Sequence, residues 1–350
     1  MKKLYSLVLL LFLTGISNAT EYQGKHNKQK TIKKTVDVNP AATLSVENKY
    51  GNVFVTTWDQ DKIDIEVIVT ISGDDEKWVN ARLASINVEF AGNSSSYSAK
   101  TIFDEQKNYG KKSSMEINYT VKIPKKGNLK VKNNYGNIIT HELFGSTDIL
   151  CKYGKITLGK LNHSSNTIQI EYCSKSNIER INNGNVIAKY SDLQISDYNS
   201  LDLTSSYTDV VLTKGTNLKY VSKYGKLLLG SVANVGGSGD YLTIKVNELN
   251  GSLNINTKYS NLTVNAISNQ AKVLTINAGY TNIILSHNST YAFDFDVTTK
   301  YGNFKSEAPL EYNSRIETNT NKTFKGFHKK SGSNQVTINS SYGNISLKQL

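Results

Sequence analysis

The chain has 350 residues with 41 Lys plus Arg against 29 Asp plus Glu, a net charge of +12, and 38% hydrophobic residues. That length buries a sizeable core without a disulfide scaffold, and that hydrophobic content excludes a disordered chain. Three prolines, two methionines and 21 tyrosines, with β-branched residues and Asn throughout, argue against a helical fold and for a nearly all-β one.

Met1 to Ala19 reads as a secretory signal peptide. Lys2 and Lys3 precede the apolar run Leu7 to Leu13, and Ser17-Asn18-Ala19 offers a small-residue cleavage site. The run is too short for a membrane span, which needs about 20 apolar residues. Cleavage would leave 39 basic against 29 acidic residues, a net +10, on a chain expected outside the cytoplasm with no transmembrane anchor.

Residues 20–127 form a β-rich segment. Ile63, Ile65, Val67 and Val69 alternate with polar neighbours, as in longer strands capable of antiparallel pairing. The stretch Asp74 to Ile86 is the one credible helix, capped by Asp74 or Asp75, with Trp78, Leu83 and Ile86 on its apolar face. A helix at the end of a repeat stack covers its exposed edge.

Residues 128–350 carry an internal repeat. Tyr135, Tyr153, Tyr172, Tyr190, Tyr207, Tyr224, Tyr241, Tyr259, Tyr280 and Tyr301 recur at 17 to 21 residues, and Tyr342 and the upstream Tyr50 share their context. Counting from the tyrosines, positions −6 and −4 are usually apolar (Leu129 and Val131, Leu201 and Leu203, Val336 and Ile338), and −2 is usually small. Gly, Ser or Thr usually follows at +1, then Asn, Asp or Lys, then apolar residues at +3 and +5. Period-two spacing marks the buried face of strands, and the same parity puts the tyrosines on that face. Each unit reads as strand, corner, strand, return. Stacked units give a parallel β-solenoid (β-helix) of about 17–21-residue rungs, with the N-terminal segment and its short helix as a cap. A propeller would need about 40 residues per blade. Bulges or loops are expected at Tyr172, whose next apolar residue is only at +6, and at Tyr241, where Gly237 and Gly239 replace inward residues. Glu311 to Asn334 reads as an extended hairpin or loop before the last rung.

Val46-Glu-Asn-Lys-Tyr-Gly-Asn-Val-Phe-Val-Thr-Thr-Trp58, then Ile117-Asn-Tyr-Thr-Val-Lys-Ile-Pro124 and the Tyr-Gly-Asn rungs from Leu129 onward, resemble the bacterial envelope family of candidate adhesins built from β-strand repeats. The resemblance covers nearly the whole mature chain. It implies a secreted β-solenoid of the kind common in Bacteroidetes-like bacteria, with an adhesin role and no catalytic residue to carry over.

Chemistry-bearing motifs are sparse. His26, His141, His163, His287 and His328 show no metal-ligand spacing and read as solvated loop residues. Cys151 at −2 and Cys173 at +1 differ by about 10 Å along the strand, beyond the roughly 7 Å a disulfide spans, so a free, buried Cys151 is expected. Gly236-Gly-Ser-Gly-Asp240 is one imperfect calcium-type nonapeptide and reads as a glycine-rich bulge. No phosphate loop, nucleophile elbow or metalloprotease motif occurs, so no cofactor, metal or nucleic-acid partner is expected.

The residue before each tyrosine points outward. Lys152, Glu171, Lys189, Ser206, Lys223, Asp240, Lys258, Gly279 and Lys300 place a lysine on every second rung, about 9.6 Å apart. Lys152, Lys189, Lys223, Lys258 and Lys300 form a candidate stripe for an anionic polysaccharide or cell-surface component; the same spacing also serves solubility alone. The functional reading is a non-catalytic, adhesin-like binding scaffold of the cell envelope. Its alternatives are a structural envelope protein without a ligand, or a β-helix polysaccharide lyase or hydrolase.

Overall fold

A computed structural model describes residues 24–104 and 113–350. The expected signal peptide, residues 1–19, lies outside the described residues. The described chain is all-β with a single helix. Strands of successive units pair in parallel: Thr147–Lys152 lies between Asn128–Asn134 and Asn166–Glu171, with Ile149 opposite Val131 on one side and Ile168 on the other. Because like positions meet, the apolar −6, −4, +3 and +5 columns merge into one continuous core, including Leu44, Val46, Leu201, Leu203, Ile255, Ile276 and Ile338.

The tyrosines do not join it. All twelve, from Tyr50 to Tyr342, adopt left-handed backbone with φ from +48° to +64°. The expected inward tyrosine column is therefore overturned. Alternation of side chains holds only while the backbone stays extended, and one left-handed residue reverses it, turning the tyrosine out and the +1 residue in. Among the inward +1 residues, Ser191, Thr208, Ser260 and Thr281 are buried. Each hydroxyl donates to its own unit's −1 carbonyl, as Thr208 Oγ1 does to Ser206 O at 2.8 Å. Each also accepts the +1 amide of the preceding unit, as Thr208 does from Ser191 at 3.3 Å. The amide that each corner would strand is thus satisfied. Position +2 works in the same way from outside, where Asn52 Oδ1 accepts the amide of Asn137 at 3.0 Å and Asp209 Oδ1 that of Lys226 at 3.0 Å.

At Tyr172 the expected irregularity is present. Lys175 is a second left-handed residue, and Ser176 and Ile178 at +4 and +6 stand opposite Leu193 and Ile195 at +3 and +5, so one residue is inserted at the corner. At Tyr241 the expectation fails, since the chain is extended throughout Asp192–Lys258 except at its corners. The buried Tyr220 fills the space left by Gly237, and Gly239 lies against the Ser222 carbonyl oxygen and the Leu242 side chain, which an added Cβ would approach to 2.2 and 2.6 Å. Large residues complement small ones, and no bulge is needed.

Strands from both sides of position 128 share the stack. Thr43–Lys49 pairs with Asn128–Asn134, and Val53–Trp58 with Ile138–Thr140. On their other side Ser96–Phe103 and Ser113–Pro124 pair in parallel with the same two strands, while Lys62–Gly73 and His26–Asp37 continue the sheet in antiparallel fashion. The helix Glu76–Ala84 packs on these last strands, its Asp75 cap accepting the amides of Lys77 and Trp78 at 2.9 and 3.2 Å. At the other end, the Tyr342 unit inserts between the Tyr280 and Tyr301 units. The hairpin of Glu311–Glu317 and Asn321–His328 then closes the edge, antiparallel to Phe293–Lys300.

Candidate functional site

Lys189, Lys223, Lys258 and Lys300 of the −1 column are exposed and Lys152 is half-buried. The column is not the regular alternation expected. Lys152 Nζ lies 2.6 Å from Glu171 in the next unit, a hydrogen bond that raises the lysine's pKa. Gly279 and Ser341 both stand between Lys258 and Lys300, because the chain returns to insert its last unit there. The Lys223 and Lys300 ammonium groups each sit 5.6 Å from the ring of the following tyrosine, within cation–π reach. Asp240 Oδ1 accepts the amide of Lys258 at 3.1 Å.

The same outer face is hollowed. A depression of about 600 Å³ is lined by Lys223, Ser238, Asp240, Asn256, Lys258 and Asn277, among others, and shares Val221, Ser238 and Asn256 with a second of about 420 Å³. In the second depression Gly236 leaves open space, since a Cβ added there would meet nothing within 4 Å. One wall is an amide ladder in which Asn339 donates to Asn277 at 3.2 Å and Asn277 to Asn256 at 3.0 Å. Amides, hydroxyls and ammonium groups of this kind pair with hydroxylated, anionic polymers.

Beside the lysines runs a feature that strand parity concealed. The twelve corner tyrosines stack ring on ring, with eleven successive centroid distances of 4.6–5.3 Å and interplanar angles of 1–19°. All but Tyr224 are 40–52% exposed. Since each face is covered by the next ring, the column presents edges and hydroxyls, and it offers a sugar no flat platform between units. Phe103 closes one end, edge-on to Tyr50 at 6.3 Å. The available sequence signal was the Gly, Ser or Thr after ten of the twelve tyrosines, which marks a tight corner.

Cys151 and Cys173 are both buried and free. The corner nevertheless brings them into contact, with Cys173 Sγ donating to Cys151 O at 3.3 Å, so the 10 Å offset expected from strand register does not hold. A separate side-chain hydrogen bond between the two thiols, and then burial, hold the Cys151 thiol above the usual thiol range. The expectation of solvated histidines also fails for two of the five: His287 and His328 are 1% exposed. Burial lowers the pKa of His287, opposed by its bond to the Asn288 carbonyl. Among the described residues no three His, Cys, Asp or Glu side chains gather as metal ligands, and no helix is long and apolar enough to cross a membrane.

The Toastrack DUF4097 family model matches residues 42–348. The chain belongs to this family. Among solved structures, the Toastrack chain is similar to a candidate adhesin from Parabacteroides merdae at 12% identity, covering 93% of this chain and 98% of that one with a TM-score of 0.37. A candidate adhesin from Bacteroides fragilis matches at 15% identity over 92% and 97%, TM-score 0.23. A candidate lipid binding protein from Parabacteroides distasonis matches at 7% identity over 91% and 96%, TM-score 0.25. No curated protein matches it.

Proposed function

We propose that this chain is a non-catalytic, adhesin-like binding scaffold of the bacterial cell envelope, exported by its leader and built as a parallel β-solenoid of 17–21-residue rungs. Its outer face holds an anionic glycan along the −1 lysine column. The observation that carries this reading is the arrangement at the hollow, where Lys223 and Lys258 flank Asp240 on the rim of a depression walled by hydrogen-bonding amides. Cationic groups repeated along a rigid axis bind a polyanion weakly at each site and more tightly in sum, with strong salt dependence. Of the carboxylates, Asp240 lines one depression and Asp202 the other. A lyase or hydrolase would instead need an acid and a base facing one bond.

A second reading, a spacer without a ligand, is favoured by Glu171 and Asp240 standing in the lysine column and offsetting part of its charge. Retention on immobilised heparin separates the two. Replacing Lys189, Lys223, Lys258 and Lys300 together by Gln should lower the eluting salt concentration while leaving the circular dichroism spectrum intact. K152Q alone should change little, since Glu171 already neutralises that lysine. Unchanged elution of the fourfold variant would leave the spacer reading.

A further inference from the structure

The C-terminal end of the stack holds a buried cluster whose polar atoms neither the glycan reading nor core packing uses. His287 ends the strand Asn282–His287, and His328 ends the hairpin strand Asn321–His328, where it pairs with Phe293. The imidazole centroids are 5.2 Å apart, and Phe293 packs against both at 5.2 and 5.5 Å. His287 Nδ1 lies 3.0 Å from the Asn288 carbonyl and His328 Nδ1 2.8 Å from that of Pro309. A carbonyl only accepts, so both Nδ1 atoms carry the proton and both Nε2 atoms are bare lone pairs. Both Nε2 atoms are buried without a hydrogen-bond partner, and so is the hydroxyl of Tyr291, whose ring is 6.2 Å from that of His287. An orphaned buried polar atom costs about 1–3 kcal/mol, and three of them in one cluster call for a common partner.

We propose that His287 and His328 bind a late first-row divalent cation of the zinc type through their Nε2 atoms, with the Tyr291 oxygen as the adjoining third donor. Imidazole nitrogens about 2.0–2.1 Å from a tetrahedral ion place the ring centroids about 5 Å apart, the separation found here. Nδ1–H on a backbone carbonyl is the arrangement that orients metal-binding histidines elsewhere. The ion would join the Tyr280 unit to the closing hairpin, so its binding is coupled to closure of the stack end. Coordination of the phenol oxygen would release its proton to solvent.

The test uses the full chain, stripped with a chelator and titrated with zinc chloride and with cobalt chloride. The expected result is one equivalent bound at micromolar or lower free metal (about 10⁻⁶ M), a rise in unfolding temperature with metal, and visible d–d bands of a tetrahedral cobalt site. X-ray absorption should show imidazole ligands at about 2.0 Å. H287Q and H328Q should each weaken binding at least tenfold, and Y291F should abolish the proton release. The wild-type cobalt spectrum stands even if a variant fails to close the hairpin. Absence of stoichiometric binding to the wild type, or undiminished binding in a folded H287Q/H328Q double variant, overturns the proposal.

Discussion

The ring of Tyr220 occupies the space that a side chain on Gly237 would need, one unit further along the stack. Tyr198 stands in the same relation to Gly215. These pairs let two bulky aromatics enter columns otherwise filled by Leu, Ile and Val without pushing the strands apart. Gly237→Val should therefore destabilise the protein by about 1–3 kcal/mol in urea unfolding, the usual cost of overpacking. Adding Tyr220→Leu should recover part of that loss. Strictly additive effects in the double variant would show that the two sites are independent.

The corner tyrosines should tolerate substitution according to backbone conformation rather than hydrophobicity. Tyr207 is 52% exposed with φ +50°. Tyr207→Gly loses the stacking, about 0.5–1.5 kcal/mol for each aromatic contact, but adopts the left-handed geometry without strain. Tyr207→Val loses the same contacts and adds roughly 1–2 kcal/mol of backbone strain. Thermal unfolding should rank wild type above Gly and Gly above Val; equal midpoints for the two variants would contradict the geometry.

Alkaline pH should unfold the N-terminal end. Burial pushes the Tyr119 hydroxyl up to about 12 from an ordinary value of 10.0, while its hydrogen bond with Thr101 at 2.7 Å acts the other way. Between those values the unfolded chain has released a proton that the folded one keeps, so stability falls as pH rises through this window. The loss is about 2–3 kcal/mol by pH 12, at 1.36 kcal/mol per pH unit. Denaturant midpoints from pH 8 to 12 should decline above pH 10, with Tyr119→Phe declining less.

The two cysteines should be unreactive while the protein is folded. Both are fully buried, which denies access even to Cys173, whose thiol its hydrogen bond with Cys151 holds below the usual range. A thiol reagent reacts with the thiolate and needs access. Native protein should label over hours and urea-unfolded protein within minutes, with two equivalents taken up; rapid labelling of the native state would mean that the Tyr153 and Tyr172 units open readily.

Much of the architecture was legible because its cause is local. The −6, −4, +3 and +5 residues, such as Leu201, Leu203, Val210 and Leu212, are buried as period-two spacing requires, and Asp75 caps the helix at its expected place. The antiparallel strand Lys62–Gly73 and the hairpin between Glu311 and Asn334 also lie where alternation and composition put them. The candidate site was legible only in part, since the outward direction of the −1 lysines follows from parity but their partners do not. Glu171 approaches Lys152 from the next unit, and the hollow beside Lys223 is lined by residues of several units, from Val221 to Ser341, that sequence spacing does not bring together.

By itself the sequence determined the period, the inward apolar columns and the position of each corner, because a 17–21-residue repeat of alternating side chains admits few other ways to hide its apolar face. Only the tertiary structure decided what happens at the corners and ends. One left-handed residue per unit turns Tyr50 through Tyr342 out of the core and into a stacked column, and the same turn brings Cys173 against Cys151. The last unit returns across 41 residues to lie between Tyr280 and Tyr301, which spaces Lys258 from Lys300 and carries His328 to His287. Alternation along a strand is set by adjacent residues, whereas a change of backbone handedness and a long-range insertion are set by what the neighbouring units leave unfilled or unpaired.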